Sequence, residues 1–462
     1  FSAHGAGSGM GGVVDLSGHT ATIGAVDVDL GSDTGKAGTL LLDPYDLIIG
    51  GATTQSGPDD DYSVIGSIAS NGADVLLQAD NSITMGNGSS INTTKTGGDA
   101  GSVTLESRSI TIDNGATIDA SAPGHMAGDI TLDAERTDNG SVSIQIGGGS
   151  GAAPVLSGKD IKLIASATAD APSILVSLPK AHADITVSAG TIIATGKFSA
   201  EATVIAKGGT SLVPLPVGVV VTDVESGVVV NGSADITADS AKLNATSTVD
   251  TLIATQSLVP ADATADGAVA VSTVDSTANV EVGGSAQLHI TNALTMSASN
   301  DITSELDATP QQAAFGASVA VSVIDAETSA LIDGAGSVDA GSIGLSSSTS
   351  TAVTATAAAA AGGAEQPDSG SEAESFLGDS KYSAGTETTD GKVSVVGGLA
   401  IADLTSNSTA SIASTGTVTS TGNVSVQSAT ANGADIKADG SAVDSSTGVG
   451  VAVGINLAHV KH

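Results

Sequence analysis

Ser82-Ile83-Thr84-Met85, followed by Gly88 and Ile91-Asn92, returns as Ser109-Ile110-Thr111-Ile112, followed by Gly115 and Ile118-Asp119, an offset of 27. The same offset carries Ala100-Gly101-Ser102-Val103-Thr104-Leu105 onto Ala127-Gly128-Asp129-Ile130-Thr131-Leu132. Two independent segments agreeing on one period are the mark of a repeat architecture, and a period settles architecture more firmly than local propensity. Working outward, Ala37 through Asp43 and Leu47-Ile48-Ile49 align without a gap on Ala100 through Glu106 and Ile110-Thr111-Ile112. Downstream the short strand recurs as Asp160-Ile161-Lys162-Leu163, Asp184-Ile185-Thr186-Val187 and Asp235-Ile236-Thr237-Ala238.

Within each copy, Val103 and Leu105, then Ile110, Ile112 and Ile118, alternate with Thr, Ser and Asp, which places one set inside and the other in solvent. Gly and Asn at the corners supply the bends. The expectation is an all-β chain: a right-handed parallel β-helix, or β-solenoid, with coils of about 26 to 27 residues. Composition agrees. With 2% aromatic residues, no Trp and 59 Gly in 462 residues, a core of large side chains is hard to fill, yet 40% hydrophobic residues exclude simple disorder.

The second half repeats at a longer interval. Strands ending in Asp occur at Thr222-Asp223, Val274-Asp275, Ile324-Asp325 and Ala402-Asp403, spaced by 52, 50 and 78, and a further copy runs from Val449 to Asn456. Since 52 is twice 26, each long repeat is expected to be two coils. The organisation expected is single coils over 1–140, irregular coils over 141–215, and double-coil repeats over 216–462 with an insertion at 362–390. About 18 coils stacked at about 4.8 Å would give a rod of roughly 85 Å.

A balance of 50 acidic against 14 basic residues gives a net charge of −36, which repels nucleic acid and anionic membranes. No stretch reaches the ~20 apolar residues of a membrane span, and the residues from Phe1 show no basic or apolar leader region, so any signal peptide is expected to be removed or upstream and the segment a piece of something longer. The absence of Cys fits a secreted bacterial protein that relies on repetition.

Gly38-Thr39-Leu40-Leu41-Leu42-Asp43-Pro44, with Leu47-Ile48-Ile49 after it, resembles a strand of filamentous-haemagglutinin-type exoproteins secreted by the two-partner route. The run from Asp439 to Asn456 resembles the repeats of leukotoxin-type filamentous adhesins in the same broad class. The resemblance implies export through an outer-membrane transporter, an extracellular or cell-surface location, and a shaft that meets host or bacterial surfaces, glycans or other fibre copies. The Asn-Pro secretion motif of the family's N-terminal domain is absent, which places the segment in the shaft.

Few residues suggest chemistry. Asp59, Asp60 and Asp61 form an acidic turn of the kind that suits Ca²⁺, although a solvated turn is the simpler reading because calcium-binding Gly-Gly-x-Gly-x-Asp repeats are missing. No cofactor is required. His459 and His462 read as a strand end. Arg108 and Arg136, with Glu106 and Glu135, could stack on one face as in a polysaccharide-cleaving β-helix, but read as a surface charge ladder. The expectation is therefore a non-enzymatic structural and adhesive shaft, with a self-assembling filament subunit and a polysaccharide-binding or polysaccharide-cleaving β-helix as alternatives. Length varies at one corner, at Pro260-Ala261-Asp262, Pro310-Gln311-Gln312 and the Gly, Ser, Glu-rich stretch from Gly362 to Asp390, where Phe376 and Tyr382 are binding-face candidates.

Overall fold

The computed structural model describes residues 2–15, 22–23, 26–27, 29–32, 37–50, 62–210, 215–256, 265–309, 315–359, 361–362, 393–443 and 447–461. Every ladder among them is parallel, and all but one belong to a single continuous sheet wound into a β-solenoid. The expected fold class is what is found.

Three faces of stacked strands make up each turn. On the first face the inward column runs Val14, Leu40, Val75, Val103, Ile130, Ile161, Phe198, Ala241, Leu294, Ile343, Val424, which counts eleven rungs. The second face runs from Leu47 through Ile83, Ile110, Ile144 and Ile185 to Val228, Val280, Ala330 and Ala410. The third runs from Ile68 through Ile91, Ile118, Leu156, Ile192 and Ile236 to Leu288, Val338 and Val418. Like sits on like because a side chain in a parallel ladder meets its counterpart about 4.8 Å away. The middle of each column is fully buried.

The coil does not keep one size. Successive steps along the first face are 27 (Val103 to Ile130), 31 (to Ile161), 37 (to Phe198), 43 (to Ala241) and 53 (to Leu294). Val217–Ala238 stacks directly on Ala265–Val282, with Asp223 beside Asp275, so the interval of 52 is one enlarged coil and not two of 26. Eleven rungs span ten steps, about 48 Å and not roughly 85 Å.

Growth happens at one place. The first-face strands lengthen at their C-terminal ends, to 17 residues in Ser240–Gln256 and as far as Thr309 in Gln287–Thr309, whose first residues still belong to the third face, and the second-face strands lengthen at their N-terminal ends. The two extensions lie against each other as a flat two-layered arm. Its interior mixes aliphatics such as Val249, Ile253, Ile302 and Leu306 with Ala and with polar side chains. Ser247 Oγ meets Ser276 Oγ at 3.0 Å, Thr251 Oγ1 meets Ser272 Oγ at 3.2 Å, Ser304 meets Ser322 at 3.3 Å, and Thr328 meets Thr349 at 2.7 Å. Asn300, 1% exposed, donates through Nδ2 to the Ser276 carbonyl and accepts at Oδ1 from the Ser276 hydroxyl, both at 2.8 Å. Buried hydroxyls and amides require such partners.

The corner before the first face is lined by glycines. A Cβ at Gly128 would lie 2.0 Å from the carbonyl oxygen of Gly101 in the rung below, and one at Gly101 would lie 2.1 Å from that of Ala73. At Gly101 and Gly128 the backbone beneath leaves no room for a Cβ, while the same column carries Ala73 below and Lys159 above them.

Candidate functional site

Because the backbone is committed to ladders, what the protein can do is written on its outward side chains. On the second face the outward residues nearest the arm stack as Lys180, Asp223, Asp275, Asp325, Thr405 and His459. The Asp403 that the sequence aligns with Asp325 instead stacks on Val323, two positions along, since the step across the insertion is 80 and not 78. Lys180 Nζ reaches Asp223 Oδ2 at 2.8 Å and His182 Nε2 reaches Asp223 Oδ1 at 3.2 Å. The hydrogen bond from Lys180, joined by that from His182, holds the Asp223 carboxyl below its usual range. One rung up, Asp275 is raised, by burial first and then by the charges of Asp325, Asp223 and Glu225. Asp184, covered by Gly227 and close to Glu225, is pushed up to about 6, chiefly by burial and secondly by the Glu225 charge. The stack is thus a column of like charges with a cationic foot.

Arg108 and Arg136 do not stack with Glu106 and Glu135 as a groove would need; both turn to Asp138, at 4.0 Å and 2.8 Å. Glu106 is met by Gln78 from below and stacks under Asp133, whose pKa is raised by burial and then by Glu135 and Glu106. The two arginine pairs are surface ion pairs of small energetic weight. A depression of about 730 Å³ lies at the corner around Asp99, Pro123, His125, Met126, Asp129 and Lys159. Its charges are engaged locally: Lys159 Nζ lies 3.6 Å from Asp129 and 3.1 Å from Asp160, and Asp99 accepts the Met126 amide at 3.0 Å.

Among the described residues no group of three or more His, Asp or Glu could hold a metal ion. Asp59, Asp60 and Asp61, the binding-face candidates Phe376 and Tyr382, and His462 lie outside the described residues. His459 sits on the terminal strand Thr447–Lys461, stacked on Thr405.

The surface that sequence reasoning missed is the outer face of the arm's second layer. There the outward residues are aliphatic, in columns Val217, Val269, Val319, Leu399, Val453 and, two positions along, Val176, Val219, Val271, Val321, Ile401, Ile455. A third column, Val221, Thr273, Val323, Asp403, Leu457, adjoins the acidic stack. The inward partners are small: Ala270 and Ser272, Ala320 and Ser322, Ala400 and Ala402 are all buried. The opposite face of the arm carries Thr246, Ser299 and Ser348, then Thr248, Asp301 and Ser350. One face is apolar and the other hydroxylated. The signal was present as Val-Ala-Val-Ser strands, in which hydropathy alone points the valines inward.

Compared with known proteins, the chain matches no family model, no curated protein and no solved structure.

Proposed function

We propose that the chain is a rigid, non-catalytic shaft segment of a secreted bacterial surface protein of the filamentous-haemagglutinin type, holding attachment surfaces away from the cell. The observation that supports this reading best is the unbroken eleven-rung column of the first face. Each rung is hydrogen-bonded to the next over its whole width, so the object resists bending and extension and presents long flat faces, not a deep cleft. A net charge of −36 keeps so large an apolar-cored body soluble and directs it away from nucleic acid. Export through an outer-membrane transporter belongs to the same proposal.

The test is attachment. Beads coated with the purified chain are presented to host-cell monolayers, bacterial biofilm and immobilised glycans, with uncoated beads as reference. Enhanced retention on at least one surface is expected. No retention, together with release of reducing ends from acidic polysaccharides, overturns the proposal in favour of a polysaccharide-cleaving β-helix.

A second reading is a filament of chains stacked end to end, since the end of any solenoid presents unpaired strand edges. Electron microscopy distinguishes fibres from rods of uniform length.

A further inference from the structure

We propose that the aliphatic outer face of the arm is a self-association surface, through which two copies of this chain pack face to face as a dimer. The argument begins with a choice the sequence makes. An arm with Val inside and Ser outside would bury more apolar area, because one residue of register exchanges the two faces of a strand. The chain does the reverse, placing Ala270, Ser272, Ala320 and Ser322 inside and Val269, Val271, Val319 and Val321 outside. The hydroxylated face behind it shows that solvent exposure of the arm does not itself call for valine.

Area supports one more layer of protein on that face. Of the fifteen positions in three columns over five rungs, thirteen are aliphatic and two are Thr273 and Asp403; at about 4.8 Å by about 6.7 Å each, the thirteen make a flat footprint of about 420 Å². The largest apolar patch of a soluble protein is of this size and is often functional. Counted on both partners it comes to about 840 Å², the size of a weak, concentration-dependent association.

The occupant follows from shape and charge. A flat, regularly spaced Val and Ile lattice is matched by an identical lattice, since sheets with aliphatic faces pack on one another about 10 Å apart. Two copies that each carry a net charge of −36 must keep their acidic edges apart. Among the described residues, the Asp223, Asp275, Asp325 stack borders the patch along one edge. A two-fold axis parallel to the direction of rung stacking sets the two acidic edges on opposite sides of the dimer, where they do not face each other. The inference stands apart from the adhesive reading, because a dimer forms or fails to form whatever the shaft attaches to.

Sedimentation equilibrium of the full chain over a wide concentration range tests it. The expected mass at high concentration is twice 44.2 kDa. Val271→Asp and Val321→Asp should each raise the dissociation constant about a hundredfold or more. Ser299→Asp, on the hydroxylated face, should leave it within about twofold. Where the aspartates disturb folding by circular dichroism, the double variant Val271→Thr with Val321→Thr keeps the branched shape and should still weaken association. A wild-type chain that stays monomeric throughout overturns the proposal. So does a dimer indifferent to both aspartates, an open-ended series of masses pointing to end stacking, or a monomer that floats with phosphatidylcholine vesicles.

Discussion

Replacing Gly128 by alanine tests whether glycine corners set the rise of the solenoid. The added methyl would stand 2.0 Å from the Gly101 oxygen, 2.5 Å from its carbon and 2.9 Å from the Ser102 nitrogen, all backbone of the rung below. Relief requires the two rungs to part by about 1 Å at that corner, since non-bonded carbon and oxygen need well over ~3 Å. That strains the corner bonds on either side, Gly128 N–H to the Ala120 carbonyl at 2.8 Å and Gly101 N–H to the Thr93 carbonyl at 3.2 Å. Overpacking adds about 1–3 kcal/mol and each of the two weakened hydrogen bonds about 1 kcal/mol, so a loss of about 3–5 kcal/mol is expected. Gly344→Ala is the control, because nothing lies within 4 Å of its would-be Cβ. It should be neutral or stabilise by about 0.5 kcal/mol, through the unfolded chain. Urea unfolding followed by far-ultraviolet circular dichroism reads both. A Gly128→Ala protein within about 0.5 kcal/mol of wild type, the range of an inert surface change, would refute the idea that these corners fix the stacking distance.

Two further outcomes follow from buried polar groups. Asp184, with a folded-state pKa of about 6 against an ordinary 3.8, binds its proton more readily when folded, so stability should fall as pH rises from about 4 through 6. Asp184→Asn should therefore stabilise by about 1–2 kcal/mol at neutral pH, after allowance for solvent screening, and by nothing near pH 4; an equal gain at both pH values would contradict the assignment. Asn300→Ala removes the Nδ2 donor to the Ser276 carbonyl and leaves the Ser276 hydroxyl only its Ser247 partner, and should cost about 1–3 kcal/mol, while the double variant with Ser276→Ala should cost less than the two singles together. Strict additivity in urea titrations would show that the pair does not act as a unit.

The first half of the fold was legible because its coils are near copies. Ile83, Ile110 and Ile118 are buried as alternation requires, and Ser82 stacks on Ser109 at the expected interval. The second half was misread for two physical reasons. Its enlarged coils contain strands of 22 and 17 residues, in Val217–Ala238 and Ser240–Gln256. That is far beyond the usual range of about 3–10, so such strands read as more, shorter ones, the more so where Gly227 and Gly232 interrupt Val217–Ala238. Periodicity also stops identifying the inner face when both sets of alternate residues are apolar. In Val269-Ala270-Val271-Ser272 it is volume that decides: Ala270 and Ser272 face a layer that already buries Ile253, Ile302 and Leu306, and the valines take the outside. The aliphatic face went unread for the same reason. The acidic stack was visible as recurring Asp residues, and its fourth member was misplaced because the true step across the insertion exceeds the motif spacing by two.

The widened coils also separate two properties that most folds couple. Ala320 stacks on Ala400 and Ser347 on Ser428, at sequence intervals of 80 and 81, whereas Ala270 in the coil beneath stacks on Ala320 at an interval of 50, and pairing on either side is undisturbed. Contour length at the arm tip is thus decoupled from the lattice that carries it. For genes, the tip is a site where segments can be gained, lost or diversified without re-registering a single rung. For the laboratory, it is a splice point at which a foreign peptide can be mounted on a scaffold that is indifferent to its length.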